Sequence, residues 1–138
     1  MPDIAMQIDL AAPPSAAYRA LTTTDGIAGW WTTKNETGAA VGDLNRCWFP
    51  GGMQWDLRVT EADADSRLAW HLEGGPREGT DVRWTLSPAP DGTRILFDHT
   101  GFAAIDEAYR IVTLGWAQML LRLKQYAETG APNPYFDH

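Results

Sequence analysis

The chain predicts an α+β domain in which a curved antiparallel β-sheet of about six strands wraps around one long C-terminal α-helix, with two short helices after strand one. Three observations carry that prediction. Almost every strand signal precedes residue 100, the only long amphipathic stretch follows it, and the last alternating segment, Arg94 to His99, closes at Gly101 just before the helix. The helix reads from about Asp106 to Glu128, roughly 35 Å at 1.5 Å per residue, enough to cross a small sheet.

The elements follow in order. Ile4, Met6, Ile8 and Leu10 alternate with Ala5, Gln7 and Asp9, the period-2 pattern of a strand with one buried face. Pro13-Pro14 stops it, and Ala16, Ala17, Ala20 and Leu21 fall at helical spacing with proline in the tolerated first turn. Thr23, Thr24 and Asp25 can cap a second brief helix that ends at Gly29 and delivers Trp30-Trp31. Residues 32–43 are small, polar and glycine-containing, a loop.

The second strand, Leu44 to Phe49, has two open registers: Leu44 and Trp48 inward, or Cys47 and Phe49 inward. Clear alternation follows in Met53, Trp55, Leu57 and Val59, in Leu68, Trp70 and Leu72, in Val82, Trp84 and Leu86, and, after the Asp91-Gly92 hairpin signal, in Ile95, Phe97 and His99. Val112, Trp116, Met119, Leu120, Leu123 and Tyr126 form the apolar stripe of the final helix, which Gly130 and Pro132 stop. Gly115 inside it costs about 1 kcal/mol relative to alanine, which implies a close neighbour or a bend. The adjacent aromatics Tyr135 and Phe136 imply that the tail, Pro132 to His138, docks back on the domain.

With 138 residues, 44% hydrophobic and 21% charged, residues 1–138 are expected to form one globular domain. A net charge of −7 and a pI of about 4.7 disfavour nucleic acid and anionic membranes, which bind through Lys and Arg. The single Cys47, the absence of a signal-peptide pattern at Met1-Pro2-Asp3-Ile4 and the lack of a membrane-length apolar run make the cytoplasm the default compartment. Monomer and homodimer both remain open.

Seven tryptophans are the chemical feature of the chain. Trp55, Trp70 and Trp84 lie on inward strand positions and Trp116 on the facing helix stripe, so they converge either into a dense core or into the wall of a pocket for a flat apolar ligand. His99 shares the inward parity of Ile95 and Phe97; it is either a neutral histidine bonded to backbone or indole, or a group that orients or protonates a ligand. Arg46 would be a counter-charge only in the first register, and Tyr109 and Tyr126 are candidate donors to the same cavity. No metal site is expected, since His71, His99 and His138 are dispersed, and no cofactor either. Ser15, Ser66 and Ser87 lack any nucleophile context, so no catalytic residue is assigned.

The block from Ala12-Pro13-Pro14 to Ala20-Leu21-Thr22, then Gly29-Trp30-Trp31, Gly92-Thr93-Arg94, His99, Gly101, Gly115-Trp116 and Glu128-Thr129-Gly130 through Pro134-Tyr135-Phe136 resembles the SRPBCC (START-like, helix-grip) superfamily. Within it, the chain is similar to the group named for the activator of heat-shock protein 90 ATPase homologue. The resemblance implies a helix-grip fold with a cavity between sheet and helix, as superfamily members use for lipids, hormones, polyketides and other apolar molecules. The expected ligand wall is Trp31, Trp48, Trp55, Trp70, Trp84, Phe97, His99, Phe102, Tyr109, Trp116, Met119 and Leu120.

The function expected on this ground is a small cytoplasmic protein binding a hydrophobic or aromatic molecule, non-catalytic or of unknown activity. Two alternatives stand beside it: a polyketide cyclase or dehydratase-like enzyme using His99, and a chaperone-related interaction module, which would show an exposed apolar patch. The namesake co-chaperone carries a further chaperone-binding domain with no equivalent in these 138 residues, so co-chaperone activity is not expected.

Overall fold

The computed structural model describes residues 2–137. Met1, in the expected leaderless start, and His138, the end of the expected docking tail, lie outside the described residues. The order is β1 (Ile4–Leu10), α1 (Pro14–Thr22), α2 (Thr24–Trp30), β2 (Asn35–Glu36), β3 (Leu44–Phe49), β4 (Met53–Asp63), β5 (Arg67–Gly74), β6 (Asp81–Ala89), β7 (Gly92–Thr100) and α3 (Glu107–Thr129). One sheet holds the strands in the order β1-β7-β6-β5-β4-β3-β2, every neighbouring pair antiparallel. The chain is thus a helix-grip-like α+β domain, with α3 packed against β1, α1 and α2.

The seventh strand is the two-residue β2 inside the expected loop. No alternation announces it; Asn35 holds it by donating to the carbonyls of Thr24 and Thr32 at 3.1 Å each. Caps set the helix ends. Thr23 accepts from the Gly26 amide at 2.9 Å, and α2 runs through Trp30 rather than stopping at Gly29. Asp106 accepts from the Tyr109 amide at 2.8 Å, and Gly130 closes α3 at φ 74°, the left-handed conformation that favours glycine.

The register of β3 follows from its partner. Cys47 pairs with Trp55 and Asn45 with Leu57, and antiparallel partners share a face, so Asn45, Cys47 and Phe49 turn inward. Arg46 consequently faces out and pairs with Glu36 at 3.1 Å, which removes it as a counter-charge inside the fold. The hairpin also differs from its signal. Ala89 pairs with Gly92, so Pro90 and Asp91 make the turn and Gly92 is a strand residue pressed on the Leu10 carbonyl and Ala12 backbone, where any Cβ would collide.

Gly115 does not serve a close neighbour within the chain, since a Cβ there would meet no atom within 4 Å. Close packing falls on Gly29 instead, where a Cβ would lie 2.5 Å from the Tyr126 ring. That contact sets the Tyr126 ring against α2, where it lines a hollow beside α1 and not a cavity between sheet and helix. The tail does dock: the Tyr135 and Phe136 amides donate to the carbonyls of Trp30 and Trp31 at 3.0 and 2.8 Å, and the Phe136 carbonyl accepts from Thr33 at 3.1 Å.

Candidate functional site

The interior between sheet and α3 is built of indoles. Trp30, Trp31, Trp70, Trp84 and Trp116 are fully buried. Trp31, delivered by the end of α2, sits at the centre: it stacks on Trp70 (6.1 Å between centroids, 21°), tilts onto Trp116 at 5.2 Å and meets Trp55 edge-on at 5.7 Å. Phe97 lies 4.5 Å from Trp116 and 4.8 Å from Trp84. Aromatic density here makes a packed core, with dispersion and edge-to-face geometry contributing beyond area burial.

The indole nitrogens of Trp55, Trp70 and Trp84 are buried without a hydrogen-bond partner, which is unusual for such donors. Each ring has an edge-to-face aromatic neighbour. Trp116 differs. Its Nε1–H donates to His99 Nδ1 at 3.0 Å. An indole nitrogen can only donate, so Nδ1 must be the bare nitrogen and the histidine proton sits on Nε2. Nε2 then donates to Thr80 Oγ1 at 2.8 Å, and that hydroxyl donates to the Arg77 carbonyl at 2.6 Å.

His99 is therefore neutral with both nitrogens engaged. It is 0% exposed, and burial, helped by the positive charge of Arg77 and opposed by Asp81, pushes its pKa down to about 4. Neither nitrogen is left to face a ligand.

An apolar opening reaches this core. A groove of about 320 Å³ runs between the β3–β4 turn, α3 and the tail, lined by Trp31, Phe49, Pro50, Met53, Trp55, Ile111, Val112, Gly115, Met119, Tyr135 and Phe136. Its floor is the edge of the tryptophan cluster. Phe136, 4.9 Å from Phe49, and Tyr135, whose hydroxyl donates to Gln118 Oε1 at 2.6 Å, form the tail wall. The only titratable side chain in the lining is Tyr135. A larger hollow of about 430 Å³ beside α1 has a more polar lining, with Arg19, Thr23, Asp25 and Tyr126 among its residues.

Of the twelve residues expected on the ligand wall, the groove brings together Trp31, Trp55 and Met119. Trp70, Trp84, Phe97, His99, Trp116 and Leu120 lie behind it in the packed core. Phe102 covers His99 at 4.5 Å and Tyr109 covers Phe102 at 5.1 Å, while the Tyr109 hydroxyl donates to the Asp3 carbonyl at 2.9 Å and not to the groove. Trp48 is on the outer side of the sheet, a consequence of the β3 register; its Nε1–H donates to Gln54 Oε1 at 2.9 Å and Lys34 lies 5.9 Å from its ring.

The lining residues that sequence reasoning did not assign as ligand contacts carried partial signals. Phe49 belonged to one of the two open registers, Val112 to the helix stripe, and Tyr135-Phe136 to the docking tail. Met53 shared the alternation of Trp55, and Gly115 was marked as a close approach or a bend; Pro50 and Ile111 carried no signal, because their role depends on which turn meets which helix.

Among the described residues, no cluster of His, Cys, Asp and Glu could hold a metal ion. Burial pushes the Cys47 thiol far up, so it is not a nucleophile. Among the described residues, no helix is long and apolar enough to cross a membrane.

The family model described as "Activator of Hsp90 ATPase homolog 1-like protein" matches residues 11–128. The chain belongs to this family. Its fold is similar to the Aha1 dimer from Colwellia psychrerythraea, solved in solution, at 30% identity and a TM-score of 0.87, covering 94% of this chain and 98% of that one. A crystallised Mesorhizobium loti protein is 28% identical with a TM-score of 0.79, over 90% of this chain and 95% of that one. The AHSA1-like protein of Aeromonas hydrophila, at 20% identity, shares the fold with a TM-score of 0.76 over 94% of each chain. No functionally curated protein matches the sequence.

Proposed function

We propose that this AHSA1-like protein binds a compact, uncharged apolar or aromatic molecule in the groove between the β3–β4 turn, α3 and the tail. The observation that supports it is the lining: Trp31, Phe49, Met53, Trp55, Val112, Met119 and Phe136 meet in one opening whose single titratable side chain already has a hydrogen-bond partner. A volume of about 320 Å³ is at the small end of ligand pockets, which suits a molecule of a few rings better than a long-chain lipid. The lining offers no acid–base pair, and His99 is sealed behind Phe102 and Trp116, so binding is a better reading than catalysis. We place this activity in the cytoplasm, where a lone buried cysteine stays reduced. The assembly that acts is a homodimer, by extension from the Colwellia relative.

The test is native mass spectrometry of freshly purified protein, paired with titration by anilinonaphthalene sulfonate and a neutral naphthalene probe. A neutral apolar adduct, with neutral-probe binding weakened at least about tenfold by Val112→Trp, is the expected result, since an indole there fills the groove. Probe binding unchanged by Val112→Trp would overturn the assignment of the site.

A further inference from the structure

α3 presents to solvent three apolar side chains that its own chain leaves uncovered, beside Gln118 and Gln125, which accept from the tail's Tyr135 hydroxyl and Asn133 amide. Ile111, Leu114 and Leu121 are 63%, 63% and 64% exposed. With Gln118 and Gln125 they recur at steps of three and four, the spacing by which one helix packs along another. Gly115 borders this row, and no atom of the chain lies within 4 Å of where its Cβ would be. An interior helix glycine costs about 1 kcal/mol against alanine, and within one protomer nothing offsets that cost.

We propose that this face is a two-fold interface with a second copy of the chain, in which the two α3 helices cross antiparallel about Gln118. The surface is self-complementary about that residue, as an isologous interface requires. Gly115 and Leu121 stand three residues to either side of Gln118, so antiparallel pairing sets the leucine of each copy into the gap over the glycine of the other. The same pairing puts Ile111 of each copy opposite Gln125 of the other.

About 30 Å of helix roughly 10 Å across, with the groove rim at Met53 and Ile111, offers on the order of 500 Å² per copy. That is the lower edge of specific interfaces, so the dimer should dissociate at micromolar concentrations. The inference rests on the two-copy assembly proposed above and adds the surface that makes it.

Sedimentation velocity from about 5 to about 200 µM reads the equilibrium over the range such an interface implies. Wild type should shift from monomer to dimer. Leu121→Arg and Leu114→Arg should each weaken the dimer at least about tenfold, as loss of a central apolar anchor does. Val41→Arg, equally exposed at 63% but between β2 and β3, should leave it unchanged. These side chains are exposed in the single chain, so urea midpoints measured well below the dissociation constant of the dimer should stay with wild type. Gln118→Cys should form a disulfide-linked dimer on mild oxidation while Val41→Cys does not. A dimer undiminished by Leu121→Arg overturns the interface and leaves the assembly standing, whereas a wild-type monomer at the highest concentration overturns both. Probe binding by Leu121→Arg is read separately and bears on the groove alone.

Discussion

Acid stability is where the core makes its sharpest demand, because His99 is kept neutral by burial. Its pKa is about 4 in the folded chain against an ordinary value of 6.5. Between those values the unfolded state binds a proton that the folded state does not. Stability must therefore fall as pH drops from about 6.5 through about 4, and stay level above that window. At about 1.4 kcal/mol per pKa unit, the group costs on the order of 3 kcal/mol across it, a large share of a small domain's stability.

The assay is urea unfolding followed by tryptophan emission at half-unit pH steps from 7.5 to about 4, for wild type and His99→Gln. Glutamine can neither titrate nor complete both bonds, so it lowers stability at pH 7.5 and removes the proton linkage. Carboxylates held down by partners, Asp9 by Arg94, Glu73 by Arg58 and Glu128 by the Ala11 amide, lose stability at the acid end in both proteins. The exposed His71–Asp81 pair is likewise common to both. The difference between the curves isolates His99: wild type should approach the variant as pH falls, by up to about 3 kcal/mol. Parallel curves from pH 6.5 to 4.5 would refute a buried neutral histidine.

Two further perturbations test the packing. Trp116→Phe should cost about 1–2 kcal/mol more than Trp70→Phe in urea unfolding, because the first strips a partner from His99 Nδ1 while the second removes a donor that had none. Equal costs would mean that ring volume alone matters. In the dilute, monomeric protein Gly115→Ala should raise stability by up to about 1 kcal/mol, whereas Gly29→Ala should lower it by about 1–3 kcal/mol as its Cβ meets the Tyr126 ring; thermal midpoints moving in the same direction would contradict the assignment of which glycine is packed.

The architecture was legible because it rests on periodicity. Alternation at Ile4 to Leu10, Met53 to Val59 and Ile95 to His99, and the three- and four-residue steps of α3, are local patterns that survive without knowing their partners. Asp106 and Gly130 marked the helix ends because caps satisfy groups within one turn of themselves.

Other features escaped for an equally physical reason. The two-residue β2 has no period and exists because Asn35 is bonded by carbonyls of residues 24 and 32. The β3 register was undecidable from six residues and was set by pairing with β4, which sent Trp48 and Arg46 outward.

The sequence by itself determined that Trp55, Trp70, Trp84, Trp116 and an inward histidine would converge between a sheet and a helix, since strand parity and helix stripe dictate which side chains turn in. Only the tertiary structure decided how they fill that space. Volume and ring orientation depend on all neighbours at once, and here Trp31, arriving from α2, stacks on Trp70 and Trp116 and closes the interior. The groove lies where a turn, one face of α3 and the tail come together, elements far apart along the chain whose meeting no local pattern encodes.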